Sequence, residues 1–212
     1  MTTLAEFYDH ILPELQGVST AVVDHMLIQV AREFFKDTEV HTSDLAAISV
    51  VAGTSSYTLT SLVEDTEVVR VKAAWYDDVP LDIAPESVLV TGNPDWTTST
   101  GEPRAYLAPI PGEIILFPEP DESLASGLRV QVVLRPTVDA AVITDVWALE
   151  YMECLAYGVK GKLMAQPSKP WTNPEMATYN LAMYAASKSE ASADSRRSFA
   201  KASLSVRMRP FA

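Results

Sequence analysis

The chain has 212 residues, 48% of them apolar, and a formal net charge of −12, so it is long enough to bury roughly 70% of its unfolded surface without staples. Its single cysteine, Cys154, excludes an internal disulfide, and three dispersed histidines (His10, His25, His41) without a cysteine partner argue against structural zinc. So acidic a chain repels nucleic acid in bulk, and no run approaches the ~20 apolar residues of a membrane helix.

The lone cysteine fits a reducing, intracellular place of synthesis, and the opening MTTLAEFYDH carries acids where a signal peptide carries bases, so secretion is not expected. Leu4, Phe7, Tyr8, Ile11, Leu12 and Leu15 then recur at helical spacing, with Thr2 or Thr3 available as N-cap, until Pro13 and Gly17 bend or end the helix. A second helix is expected from near Ser19 to about Lys36, burying Val23, Leu27, Val30 and Phe34 and, at the margins, Val22, Met26 and Phe35.

From Glu39 to about Pro136 the period shortens. Tyr57, Leu59, Val68 to Trp75, Ile114 to Phe117 and Leu128 to Leu134 alternate or run as β-branched residues, and most prolines fall between these runs. A small antiparallel sheet or sandwich is the expectation. Residues 101–120 read as a hairpin turning at Pro111-Gly112, with Tyr106 and Phe117 as core or cross-strand aromatics.

Helical spacing resumes at Thr144 or Asp145, with Trp147, Tyr151, Cys154, Leu155 and Val159 on one face. Ala156, Gly158 and Gly161 form a smooth patch that another backbone could approach closely. After the proline-rich loop Gln166 to Trp171, Asn173-Pro174 signals the N-cap and first residue of a last helix carrying Met176, Tyr179, Asn180, Met183 and Tyr184. The stripe is lost after about Ser187.

These readings give an α+β fold. Segments 1–38 and 140–190 form a helical bundle, 39–139 a β-rich insertion, and 191–212 an extended C-terminal arm.

No residues stand in a pattern that catalysis or a cofactor would demand: there is no GxSxG elbow, P-loop, dinucleotide fingerprint or HExxH. Asp77-Asp78 and Asp121-Glu122 sit where turn chemistry favours acids on its own account. His10 and His25 each follow an Asp that a helix turns away from them, and Cys154 lies in an apolar helical face. The expectation is therefore no enzyme, no metal and no cofactor.

Charge is unevenly spread. Residues 1–140 hold 22 acids and 7 bases, the remainder 6 acids and 9 bases. From Lys188 onward six bases face two acids, and Leu204, Val206 and Met208 alternate ahead of Pro210 and Phe211. A docking arm is expected, in which Arg196, Arg197, Lys201, Arg207 and Arg209 meet carboxylates while Leu204, Val206, Met208 and Phe211 fill apolar grooves.

The stretches FYDHILPELQGVSTAVVDHMLIQVAREFFKDTEVH, WTTSTGEPRAYLAPIPGEIILFPEP and AYGVKGKLMAQPSKPWTNPEMATYNLAMYAA together resemble the head-to-tail adaptor (connector) proteins of tailed bacteriophages. The resemblance implies a virion protein, made in the host cytoplasm and placed at the head-tail junction. It implies a ring of identical copies, dodecameric like the portal protein above it, with a tail or nozzle protein below. The C-terminal segment would reach the portal, genomic DNA would pass through the channel without specific binding, and no membrane would be involved. Two other readings stay open: a tail-completion or tail-tube protein, and a metal-dependent hydrolase built on Asp77, Asp78 and Asp82.

Overall fold

The computed structural model describes residues 1–92 and 95–197. Strand β1 (Thr2–Thr3) leads into a 3₁₀ turn (Leu4–Phe7), the short helix α1 (Tyr8–Ile11) and a second 3₁₀ turn (Leu12–Glu14), followed by helix α2 (Thr20–Thr38). Strands β2 (Thr42–Asp44), β3 (Ile48–Val50), β4 (Ser56–Thr58), β5 (Thr66–Tyr76), β6 (Val79–Pro80) and β7 (Asp82–Ile83) come next, then helix α3 (Glu86–Gly92). Strands β8 (Ala105–Leu107), β9 (Glu113–Phe117), β10 (Leu124–Pro136) and β11 (Val142–Ile143) precede helices α4 (Asp145–Glu150), α5 (Met152–Met164) and α6 (Pro174–Arg196).

Three sheets are formed among the described residues. β1 pairs β11; β10 is the long member of a sheet ordered β2-β10-β5-β6, with β3 also on β10; and a third sheet runs β4-β9-β8-β7. All pairs of named strands are antiparallel except β7 with β8. The expected hairpin is present: Tyr106 lies opposite Leu116 and Ala105 opposite Phe117. Period-2 alternation then sends Tyr106 into the strand core and Phe117 to the other face, against Trp96.

The expected helical bundle with a β-rich insertion and an extended arm is not the fold, which is mixed α/β, with helices and sheets interlocked. β1 and β11 bring strands into the helical half and join the two ends of the chain, a contact that the Thr2 hydroxyl extends by donating to Asp145 at 2.9 Å. Helix α3 lies between strands of the β-rich segment. Most telling, α2 lies against β10. Val132, Val133 and Leu134 are buried in succession, which requires cover on both faces of the strand; the strand core supplies one side and α2 the other. The register shifts between Gln131 and Val132 and between Val133 and Leu134 each leave one extra residue in β5, Lys72 and Val69, so β5 bends where it pairs with β10.

The helix boundaries also differ. Residues 4–15 form a chain of short turns because Pro13 interrupts the helical run; the Thr3 N–H and hydroxyl both donate to Glu6, at 2.9 and 3.1 Å. Val22, expected at the margin of the buried face of α2, is exposed. The last helix runs to Arg196, past the point where its apolar stripe ends and into the segment expected to be an extended arm. Its inner face is made of small and polar residues (Ala177, Asn180, Tyr184, Ala191, Ser195), so hydropathy alone did not reveal it.

Helix α5 is enclosed by α1, α2 and α6. The smooth patch is where those helices close in. A Cβ on Gly158 would stand 2.6 Å from Val30 Cγ1 and 3.0 Å from the Tyr184 ring, and one on Gly161 would stand 2.8 Å from Leu181 Cγ. Gly158→Val is therefore expected to lower unfolding free energy in urea by about 2 kcal/mol or more through overpacking. Gly92→Ala, where the new atom meets nothing within 4 Å, should change it by no more than about 0.5 kcal/mol.

His41, between α2 and β2, is buried between the rings of Phe35 and Trp147, 5.8 and 5.9 Å between centroids. Burial pushes its pKa down to about 4. The unfolded chain thus takes up this proton first, and the stability contributed by the neutral ring is complete above about pH 6.5 and is lost as pH falls toward 4. Urea midpoints of the wild type and His41→Gln, measured from pH 7 to pH 4, should converge on acidification; a constant gap would contradict the assignment.

Candidate assembly surfaces

The expected arm begins at a well-anchored point. Lys188 of α6 donates to Glu33 at 3.0 Å and pairs with Asp37 at 2.6 Å, both on α2, and Lys162 of α5 pairs with Glu33 at 2.6 Å. Burial raises the Glu33 carboxyl, but the hydrogen bonds from Lys162 and Lys188 outweigh it and hold the group below its usual range. Burial likewise lowers Lys188, and Asp37 and Glu33 more than restore it. Lys188 therefore anchors the helix instead of contributing to a free basic arm.

One residue before the helix ends, the Ser195 hydroxyl donates to the Glu39 carbonyl at 2.9 Å. Glu39, the left-handed residue that closes α2, in turn pairs with Arg70 of β5. Arg196 and Arg70 border the same hollow of about 330 Å³, beside Asp37 and Glu39. Arg196 and Arg197 are exposed at this exit. Lys201, Leu204, Val206, Arg207, Met208, Arg209 and Phe211 lie outside the described residues.

Two features escaped sequence reading. The first is apolar exposure on the helices: Val146 and Leu149 of α4 are each 65% exposed, and Tyr179 of α6 is 52% exposed. Val146 and Leu149 stand at i, i+3 spacing, a detectable signal that lies outside the expected stripe of Trp147, Tyr151, Cys154, Leu155 and Val159.

The second is a groove of about 550 Å³ bordered by Val69, Arg70 and Val71 of β5, by Ile83 and by the loop around Ile110. A hollow of about 320 Å³ bordered by Thr66, Glu67 and Val68 shares Pro111 and Gly112 with it. Both are assembled from segments distant in sequence.

The acidic residues considered for hydrolysis are explained by turn geometry. Asp77 and Asp78, both at positive φ, form the two-residue turn between β5 and β6, as in a type I′ hairpin. Asp78 is paired with Arg129 at 3.3 Å, while Asp82 belongs to β7. Among the described residues no three His, Cys, Asp or Glu side chains are grouped to hold a metal ion. His25 is exposed and hydrogen-bonds Gln29 at 2.7 Å, and burial pushes the Cys154 thiol up to about 12, leaving it un-ionised.

No curated protein matches the chain. The family model described as SU10 adaptor protein matches residues 2–209, a span that contains all three stretches on which the resemblance to head-to-tail adaptors rests. With agreement over nearly its whole length, the chain belongs to the SU10 adaptor protein family, a family of bacteriophage structural proteins.

Proposed function

We propose that the protein assembles into a closed ring between the portal and the tail, with copy number matched to a dodecameric portal, and that this ring continues the channel through which the genome leaves. The family match carries the reading: phage adaptors are virion proteins that interact with head and tail components. Support also comes from the surface. A ring needs two lateral faces, and the exposed apolar side chains of α4 and α6 lie outside the cores of a single chain. An excess of 12 negative charges over the whole chain suits a channel past which DNA slides without being held. No described helix is long and apolar enough to cross a membrane.

In this reading the segment from Arg196 onward docks on the portal, its arginines meeting carboxylates and its alternating apolar residues filling grooves. Anchored through Lys188 and Ser195, α6 gives that segment a fixed origin. Truncation after Ser198 should leave the unfolding free energy within about 0.5 kcal/mol of the full chain while preventing stable attachment to portal-bearing heads. Attachment of the full chain should weaken with salt without being abolished, since apolar burial persists when ion pairs are screened. A truncated chain that attaches and completes particles as well as the full one would overturn the role of the arm.

A further inference from the structure

We propose that, before assembly, residues 204–209 are held by the chain itself, added as a strand along the open edge of β5. Successive residues of a strand face opposite sides of a sheet, yet the two joined hollows are bordered by every residue from Thr66 to Val71. They therefore run along the edge of β5 and not over one face. That edge is available. One side of β5 pairs with β10 from Thr66 to Tyr76, whereas among the described residues its other side pairs with β6 at Trp75 and Tyr76 and accepts the Leu81 N–H at Ala74. Six residues of open edge span about 20 Å, the length of a six-residue strand.

The C-terminal segment fits this edge by position, length and pattern. Helix α6 ends with Arg196 against a hollow that Arg70 also borders, and Arg70 lines the groove itself. The 15 residues beyond Arg197 could extend about 50 Å, enough to cross to the groove and lie along it. Leu204, Val206 and Met208 alternate with Ser205, Arg207 and Arg209, placing apolar side chains on one face, toward Val69, Val71 and Ile110, and basic ones on the other. On that second face Arg207 and Arg209 would stand beside exposed Arg70 and Lys72 of β5, so the contact draws on backbone pairing and apolar cover and not on charge.

Tethering favours the same chain over a second copy. A covalent tether of the six residues between Arg197 and Leu204 supplies an effective concentration of the order of millimolar, so a weak groove fills from its own chain first. Weakness is also useful, because the segment must exchange its place for a stronger site. That exchange rests on the portal reading of the arm; the groove contact does not.

The test uses the full-length chain alone, so its failure is distinct from failure to attach to the portal. In Ile110→Cys/Val206→Cys, mild oxidation should give an intrachain disulfide in monomeric protein, because Ile110 is exposed at the rim and Cys154 is buried. The pair Val146→Cys/Val206→Cys, with its first cysteine on α4, should not cross-link. In a second measurement, Ile110→Asp should speed trypsin cleavage after Arg207 by about tenfold over wild type, as the protected state is depopulated. An interchain disulfide would transfer the contact to a second copy and overturn the proposal. Absence of the first cross-link, or equal cleavage rates, would overturn it as well.

Discussion

Helix α2 has to satisfy two different partners at once, and the rest of the structure is arranged around that requirement. One side, through Val23, Leu27, Val30 and Phe34, belongs to the helical core; α2 also covers β10. Arg32 makes the second contact specific. Its guanidinium donates to the Pro136 carbonyl at 2.6 Å and to Glu67 at 2.9 Å, and Glu67 also accepts from Arg135 at 2.7 Å. Burial raises the Glu67 carboxyl, but the hydrogen bond from Arg135 and the charges of both arginines prevail and keep it below the usual range. The strand-rich part is thereby tied to the helices through polar bonds as well as apolar cover, which is why the chain does not behave as a bundle carrying an independent insertion.

The same helix sets where the C-terminal segment begins. Glu33 and Asp37 hold α6 through Lys188, and the carbonyl of Glu39 at the end of α2 receives Ser195. Partly buried, shared ion pairs of this kind fix position more than they add stability. The consequence is geometric: any segment leaving α6 starts from a rigid point beside β5, close to the open strand edge and on a surface where carboxylates and arginines alternate.

Elements with a sustained period were legible in the sequence. Helix α2, strands β5, β9 and β10, the hairpin at Pro111-Gly112 and the Asn173 cap, which accepts from the Met176 N–H at 3.2 Å, all follow from local chemistry. Elements of two or three residues, such as β1 and β11, were not, because two residues define no period and their pairing spans the whole chain. Helix α5 shows little amphipathic contrast since it is surrounded, and the end of α6 presents alanine and serine to its neighbours where a stripe was sought. Lys188 was counted with a free basic arm because nothing local reveals that Glu33 and Asp37 lie across from it. The groove along β5 is a tertiary product of three separated segments, beyond the reach of any linear pattern.

The central claim is positional: copies of this chain close a ring at the head-tail junction. Electron microscopy of complete particles, with this chain carrying a C-terminal label, tests it directly. The account predicts a closed annular density between the portal and the tail, with the label on its portal side. Label distributed along a tail tube, or particles that are complete without this chain, would contradict it.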